Sequence, residues 1–251
     1  MVKERSTTLS SWRDITMPPG QYIAALHNTS KKYKTGDTVI TALQPSSVQL
    51  KQNELTLIIG PSGSGKTTLL SLLGCVIYPT SGDIWVKGNH VNSLNEVELA
   101  NLRLRNIGFV FQNFNLVAPL NAIDNVMLPL KLMKMPQREA RLKALEALEM
   151  VNMSDRQMSL PKQLSGGQQQ RIAIARALVS DPSLILCDEP TAALDTKSVS
   201  IVMHELKSLV TEGKSIAVVT HDNRLKQFAD RIIYVHNGFI SEEPPEDEFL
   251  N

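Results

Sequence analysis

The sequence predicts an α/β fold whose parallel sheet is covered by helices on both faces. Two patterns in its 251 residues lead there. From about residue 184 onward, the apolar runs SLILCDE, SIAVVTHD and RIIYVHNG are separated by helical stretches such as IVMHELKSLV. Nearly continuous apolar strands alternating with helices are the pattern of a sheet buried on both sides. The second pattern is LTLIIG running through GPSGSGKTT into TTLLSLLG: strand, glycine-rich loop, helix start. Exposed loop amides and the helix dipole there converge on one anion-binding spot.

The elements follow in chain order. Residues 1 to about 20 are polar, end in Met-Pro-Pro-Gly, and read as a loosely ordered arm ahead of a domain spanning 21–243. YIAAL, TVITAL, SVQL and LTLIIG have strand patterning, and TSGDIWVKGNHV adds short strands around glycine turns at Gly82 and Gly88. Between about 113 and 175 the pattern is helical; in REARLKALEALEM, Leu142, Leu145 and Leu148 are expected to line a core face. The last residues, 244–251, form an acidic, proline-bearing tail expected to be solvated.

Bulk properties narrow the class. The 26 basic and 25 acidic residues nearly cancel, so no global field favours nucleic acid or an anionic membrane. Cys75 and Cys187 both sit in apolar runs and read as core residues rather than a disulfide or metal pair. LLSLLGCVIY, the longest apolar stretch, is too short to span a bilayer, and MVKERSTTLSSWRD lacks the apolar centre of a signal peptide. Membrane contact is therefore expected only through a partner.

The glycine-rich loop fits G-x-x-x-x-G-K-[ST], with Gly60, Gly65, Lys66 and Thr67 in the fixed positions. Ser62, Gly63 and Thr68 belong to the same phosphate cradle. Lys66 can reach β- and γ-phosphates, and the Thr67 hydroxyl can ligate Mg²⁺. The strand LILC runs into Asp188-Glu189. Carboxyl ends of parallel strands gather ligands, which brings both acids to the edge that carries the loop. Asp188 is the candidate Mg²⁺ holder, and Glu189 the candidate base for an attacking water. A third feature, LSGGQ at 164–168, precedes the apolar-periodic QQRIAIARAL and makes a second anion-binding helix start.

These features together resemble the ATP-binding-cassette (ABC) ATPases, whose signature is LSGGQ, over nearly the whole chain. The resemblance implies a P-loop NTPase cassette: a RecA-like parallel-sheet core, an antiparallel β subdomain and an inserted α-helical subdomain at about 113–175. It also assigns further residues. Gln112 in GFVFQ matches the Q-loop glutamine, expected to sense metal and water, and Asp195 in AALD the D-loop. His221 in AVVTHD matches the switch histidine, and Tyr33 in KKYKTGD the aromatic that stacks on adenine. Taken alone, His221 would read as a strand-end histidine and Tyr33 as an ordinary strand aromatic. His27, His90, His204 and His236 lie outside the pattern and read as surface or packing residues.

The resemblance further implies a head-to-tail homodimer holding ATP between one chain's P-loop and the other's Ser165, Gly166, Gly167 and Gln168. With ATP and Mg²⁺ as cofactors, Lys66, Gln112, Glu189 and His221 would carry the chemistry. FQNFNLVAPLNAIDNVMLPL, GPSGSGKTTLL and PTSGDIWVKG resemble the lipoprotein-releasing and macrolide-exporter ATPases (LolD-like and MacB-like). Thr191-Ala192-Ala193 and Cys75-Val76-Ile77-Tyr78 depart from that group, which usually has Thr-Gly-Asn and a Gly-Leu-Asp stretch. The expected role is an ATPase subunit on the cytoplasmic face of the cell membrane, bound peripherally to integral-membrane permease subunits. Two alternatives stay open: a soluble ATPase of iron–sulfur cluster assembly, and the ATPase of an amino-acid importer.

Overall fold

Alternate side chains of one central strand enter two different cores. In β3 (Leu55–Ile59), Leu55, Leu57 and Ile59 pack into one apolar cluster and Ile58 into the other. All five residues of β3 are buried, so no face is left for water. A computed structural model describes residues 21–192, 194 and 196–244 of the chain. The amino-terminal arm, Ala193, Asp195 and nearly all of the acidic tail lie outside the described residues.

Strand β3 belongs to a six-stranded sheet. The other members are β6 (Ile107–Val110), β7 (Leu184–Asp188), β8 (Ser215–Thr220), β9 (Arg231–His236) and β10 (Phe239–Ser241). Their order is β10-β9-β3-β8-β7-β6, parallel except for β10. Strand β10 escaped the sequence reading: Asn237 and Gly238 take φ values of 48° and 81° and fold it back on β9. Both residue types tolerate that left-handed turn, the pattern of a tight hairpin.

One face of this sheet carries α3 (Ala122–Leu132), α4 (Gln137–Met150), α5 (Gly166–Leu178) and α6 (Thr196–Thr211). The other face packs on α1 (Lys66–Leu73), α2 (Glu96–Asn106) and a four-stranded antiparallel sheet. That sheet contains β1 (Tyr22–Thr35), β2 (Thr38–Lys51), β4 (Ser81–Val86) and β5 (Asn89–His90) in the order β2-β1-β4-β5. TVITAL and SVQL are a single strand, β2, rather than two. Pro45 interrupts the pattern but is tolerated because β2 is an edge strand.

Two further expectations need correction, and a third gains a detail. Gly82 lies within β4, not at a turn: its φ is 81°, and a Cβ there would sit 2.2 Å from the Asn28 carbonyl oxygen. The glycine lets β1 and β4 approach where their register shifts. In α4, Leu142 is 55% exposed, and the buried face is Ala140, Ala144, Ala147 and Leu148. Alanines at that spacing bring the α4 backbone close to its neighbours, and Leu145 is only partly buried. Cys75 is buried as expected, but it also ends α1 with φ 56°. Its N–H donates to Leu72 O and that of Val76 to Ser71 O, a Schellman ending in which cysteine occupies the glycine position. Burial pushes the Cys75 thiol up to about 12 and the Cys187 thiol higher still, so both are inert packing groups.

Candidate nucleotide site

Four adjacent parallel strands, β3, β8, β7 and β6, end at the same sheet edge. Each is followed there by residues singled out from the sequence: the P-loop, His221, Asp188-Glu189 and Gln112. A parallel sheet places loops from separate chain regions on one crevice in this way.

The P-loop is built against its surroundings. A Cβ on Gly60 would lie 2.0 Å from Val235 O, and one on Gly65, at φ 109°, 2.3 Å from Ala42 O. Gly63, at φ 76°, has nothing within 4 Å of its Cβ position, so this side of the loop is open. The Gly238 N–H donates to Ser64 O at 2.8 Å, tying the loop to the β9–β10 turn. Ser62 is exposed beside Gly63, and Thr68 is half-buried in the first turn of α1. Lys66 is 7% exposed, and its Nζ donates to Gly60 O at 2.8 Å and Pro61 O at 2.9 Å. Burial lowers its pKa, while Glu189 and Asp188 oppose the shift.

Across from the loop, Thr67 Oγ1 donates to Asp188 Oδ1 at 3.5 Å. Desolvation, then the neighbouring Glu189 charge, raises the Asp188 pKa. Glu189 takes a left-handed φ of 47°, and its N–H donates to Val219 O at 2.9 Å. This bend aims its carboxylate at the end of β8. Oε1 lies 2.7 Å from His221 Nδ1, and Oε2 accepts from the Thr220 hydroxyl at 3.3 Å. The Glu189 side chain is 13% exposed and that of His221 67%, so a held carboxylate meets a solvent-facing imidazole. Thr220 went unnoticed in the sequence; the signal was a hydroxyl residue immediately before the histidine.

Gln112 is exposed two residues past β6. Phe114 and Asn115 follow at φ 57° and 49°, and Arg176 of α5 donates to both of their carbonyls. Arg176 also lines a groove of about 280 Å³ between β6, α3 and α5, whose walls include Leu104, Ile107, Phe109, Phe111 and Leu128.

The signature residues sit elsewhere. Ser165 caps α5: its Oγ accepts from Gln168 N at 3.3 Å, and Gln168 Oε1 accepts from Ser165 N at 2.9 Å. Gly166 and Gly167 supply the first N–H groups of the helix, which have no intrahelical acceptor. Helix α5 packs on α3, α4 and β6, the edge strand three positions from β3. No hydrogen bond or ion pair among the described residues joins the signature to the P-loop. Tyr33, 40% exposed, stands near the tip of the β1–β2 hairpin with Lys31 Nζ 5.2 Å from its ring centroid. The Asp195 expectation falls outside the described residues.

The donors present suit a nucleoside triphosphate with Mg²⁺. A glycine loop open at Gly63, a buried ammonium and a helix start form an anion cradle. The Thr67 hydroxyl and Asp188 carboxylate are hard oxygens within reach of one ion, the kind of donor Mg²⁺ takes alongside phosphate oxygens.

This fold and site define a P-loop ATPase of the cassette type. Residues 43–192 match the ABC transporter family, and the chain belongs to it as an ATP-binding subunit that hydrolyses ATP. It is 46% identical over 223 residues to an uncharacterised ABC transporter ATP-binding protein, MJ0796, of Methanocaldococcus jannaschii, covering 87% of this chain and 95% of that one. The macrolide export ATP-binding/permease protein MacB of Bartonella henselae is 42% identical, over 87% of this chain and 33% of its own length. Among solved structures, the MJ0796 cassette as a post-hydrolysis dimer with ADP and Pi superposes with a TM-score of 0.81 at 44% identity, covering 87% and 97% of the two chains.

Proposed function

We propose that this chain works as a homodimer that drives a separate membrane subunit of the MacB-like or LolD-like export or extraction type. The observation that carries the reading is the division of the site: P-loop, Asp188, Glu189 and His221 meet at one sheet edge, while no hydrogen bond or ion pair among the described residues joins the capped start of α5 to them. A second copy, turned head to tail, would bring its Ser165, Gly166 and Gly167 to the nucleotide. Dimers of similar cassettes support this arrangement.

In this reading Lys66 and the amides around Gly63 and Gly65 bind the phosphates, and Tyr33 stacks on the base. Thr67, Asp188 and Gln112 would hold Mg²⁺, which when bound neutralises the phosphate charge. Glu189 takes the proton of the attacking water, with Thr220 and His221 fixing its carboxylate. The His221 imidazole is exposed enough to turn toward the γ-phosphate oxygens. Because the signature amides come from the other chain, ATP closes the dimer and hydrolysis opens it.

No helix among the described residues is long and apolar enough to cross a membrane. Membrane association would therefore come through the permease, with the helical layer around 113–175 as the gripping part, the arm at 1–20 and the tail at 244–251 flanking the cassette. MacB supports this, since it carries a similar cassette and a permease in one chain. The test is a pull-down with tagged Glu189→Gln and ATP from detergent-solubilised membranes, read by mass spectrometry. Co-purification of a subunit with four membrane helices and a large extracytoplasmic domain is expected. Recovery of soluble iron–sulfur scaffold proteins alone would overturn the transporter reading.

A further inference from the structure

The segment that carries Gln112 is held in an unfavourable shape. Phe114 and Asn115 are consecutive non-glycine residues in the left-handed region, at φ 57° and 49°. Asparagine tolerates that region; a bulky phenylalanine does not without outside support. The support is visible. Arg176 Nη2 donates to Phe114 O at 2.8 Å, and Nη1 to Asn115 O at 2.6 Å. A planar guanidinium can bridge two successive carbonyls in this way, whereas an ammonium is a single point. Among the described residues Arg176 forms no ion pair, and its two hydrogen bonds there both go to this loop.

A second side chain fixes the loop further on. Asn125 of α3 is fully buried; its Oδ1 accepts from Val117 N at 2.7 Å, and its Nδ2 donates to Val117 O and Leu120 O. The stretch after Gln112 is thus held by side chains of α5 and α3. Arg176 lies on the same helix as the Ser165 cap, roughly 16 Å along its axis.

Resting on the reading of Gln112 as a metal- and water-sensing residue, we propose that Arg176 is a positioning residue for ATP hydrolysis. Its guanidinium clamps the Phe114 and Asn115 carbonyls, so that Gln112 moves as one piece with the helix whose first turn is the signature. Docking of Ser165 and its glycines on a partner's nucleotide then repositions Gln112 in the same chain. The clamp links a trans contact to a cis ligand.

The test compares wild type, Arg176→Met, Arg176→Lys and Gln112→Ala. Hydrogen exchange of the nucleotide-free proteins reads the clamp without any turnover. Arg176→Met should raise exchange at residues 113–118 about tenfold or more, leaving the 55–74 amides at wild-type rates. kcat should fall about tenfold to a hundredfold, with binding of a fluorescent ATP analogue within about twofold of wild type. Arg176→Lys should behave like Arg176→Met, because one ammonium cannot replace the fork, and it keeps the test available if the methionine variant does not fold. Wild-type kcat in Arg176→Lys, or exchange raised uniformly across α3, α4 and α5, would overturn the proposal. Gln112→Ala separates the two readings: wild-type kcat there removes the role of Gln112 and with it this inference, while the exchange data still report on the clamp.

Discussion

Replacing Glu189 by glutamine tests the chemistry with little disturbance of the fold. In the wild type, Oε1 pairs with His221 Nδ1 at 2.7 Å and Oε2 accepts from the Thr220 hydroxyl at 3.3 Å. The glutamine oxygen can keep the Thr220 bond, and its NH₂ can donate to Nδ1 if the imidazole carries its proton on Nε2. His221 is solvent-facing, so this tautomer change leaves no buried group unpaired. With both hydrogen bonds kept, folding stability should change by no more than about 1 kcal/mol. The amide cannot accept the water proton. Loss of a general base costs about 10²–10⁴ in rate, or roughly 3–5 kcal/mol of barrier. Steady-state phosphate release at saturating Mg-ATP measures the rate, and binding of a fluorescent ATP analogue checks that affinity is retained. A variant with wild-type turnover would show that Glu189 is not the base. A variant that also loses nucleotide binding would show that the geometry, not the proton transfer, had been damaged.

Three further outcomes are expected from the same structure. Gly65→Ala should abolish nucleotide binding, because its Cβ would lie 2.3 Å from Ala42 O at a φ of 109°; retained affinity by calorimetry would contradict the loop geometry. Asp188→Asn should raise the melting temperature of metal-free, nucleotide-free protein at neutral pH, by about 2–4 °C for each kcal/mol recovered. Its raised folded-state pKa means that the unfolded chain releases this proton first as pH rises. The penalty is absent below the usual carboxylate range and complete above the folded pKa, so the gain should vanish on acidification. In α4, Leu148→Ala should cost about 2–5 kcal/mol and Leu142→Ala less than about 0.5 kcal/mol in denaturant melts, since Leu148 is 0% and Leu142 55% exposed. Equal costs would refute the assigned face.

The residues whose placement was legible in the sequence are those fixed by local chain geometry. GPSGSGKTT announces its own loop, because glycine spacing and a following helix leave few alternatives. Asp188-Glu189 and His221 could be placed at one edge because every buried parallel strand delivers its last residue there. Contacts that depend on two distant elements were not legible. The Glu189–Thr220 bond needs the β7–β8 register, and the buried alanine face of α4 needs the position of its neighbours. Gly82 looked like a turn because positive φ serves turns and strand bulges alike. Arg176 looked like an ordinary member of IAIARAL; only the fold of residues 112–115 shows what it holds.

The measurement that tests the proposed shared site most directly is complementation between two variants expected to be inactive, Lys66→Ala and Gly166→Asp. The first lacks the ammonium proposed to bind phosphate. The second keeps a stable helix start, since a carboxylate is favourable there, but repels the phosphate. Each alone should be nearly inactive, because every composite site carries one defect. In a one-to-one mixture, half the dimers are mixed, and each mixed dimer has one intact site. With two-fold symmetry and independent sites, the mixture should recover about a quarter of the wild-type ATPase rate. No recovery at any ratio, with mixed dimers confirmed by mass spectrometry, would mean that the signature does not act across the interface.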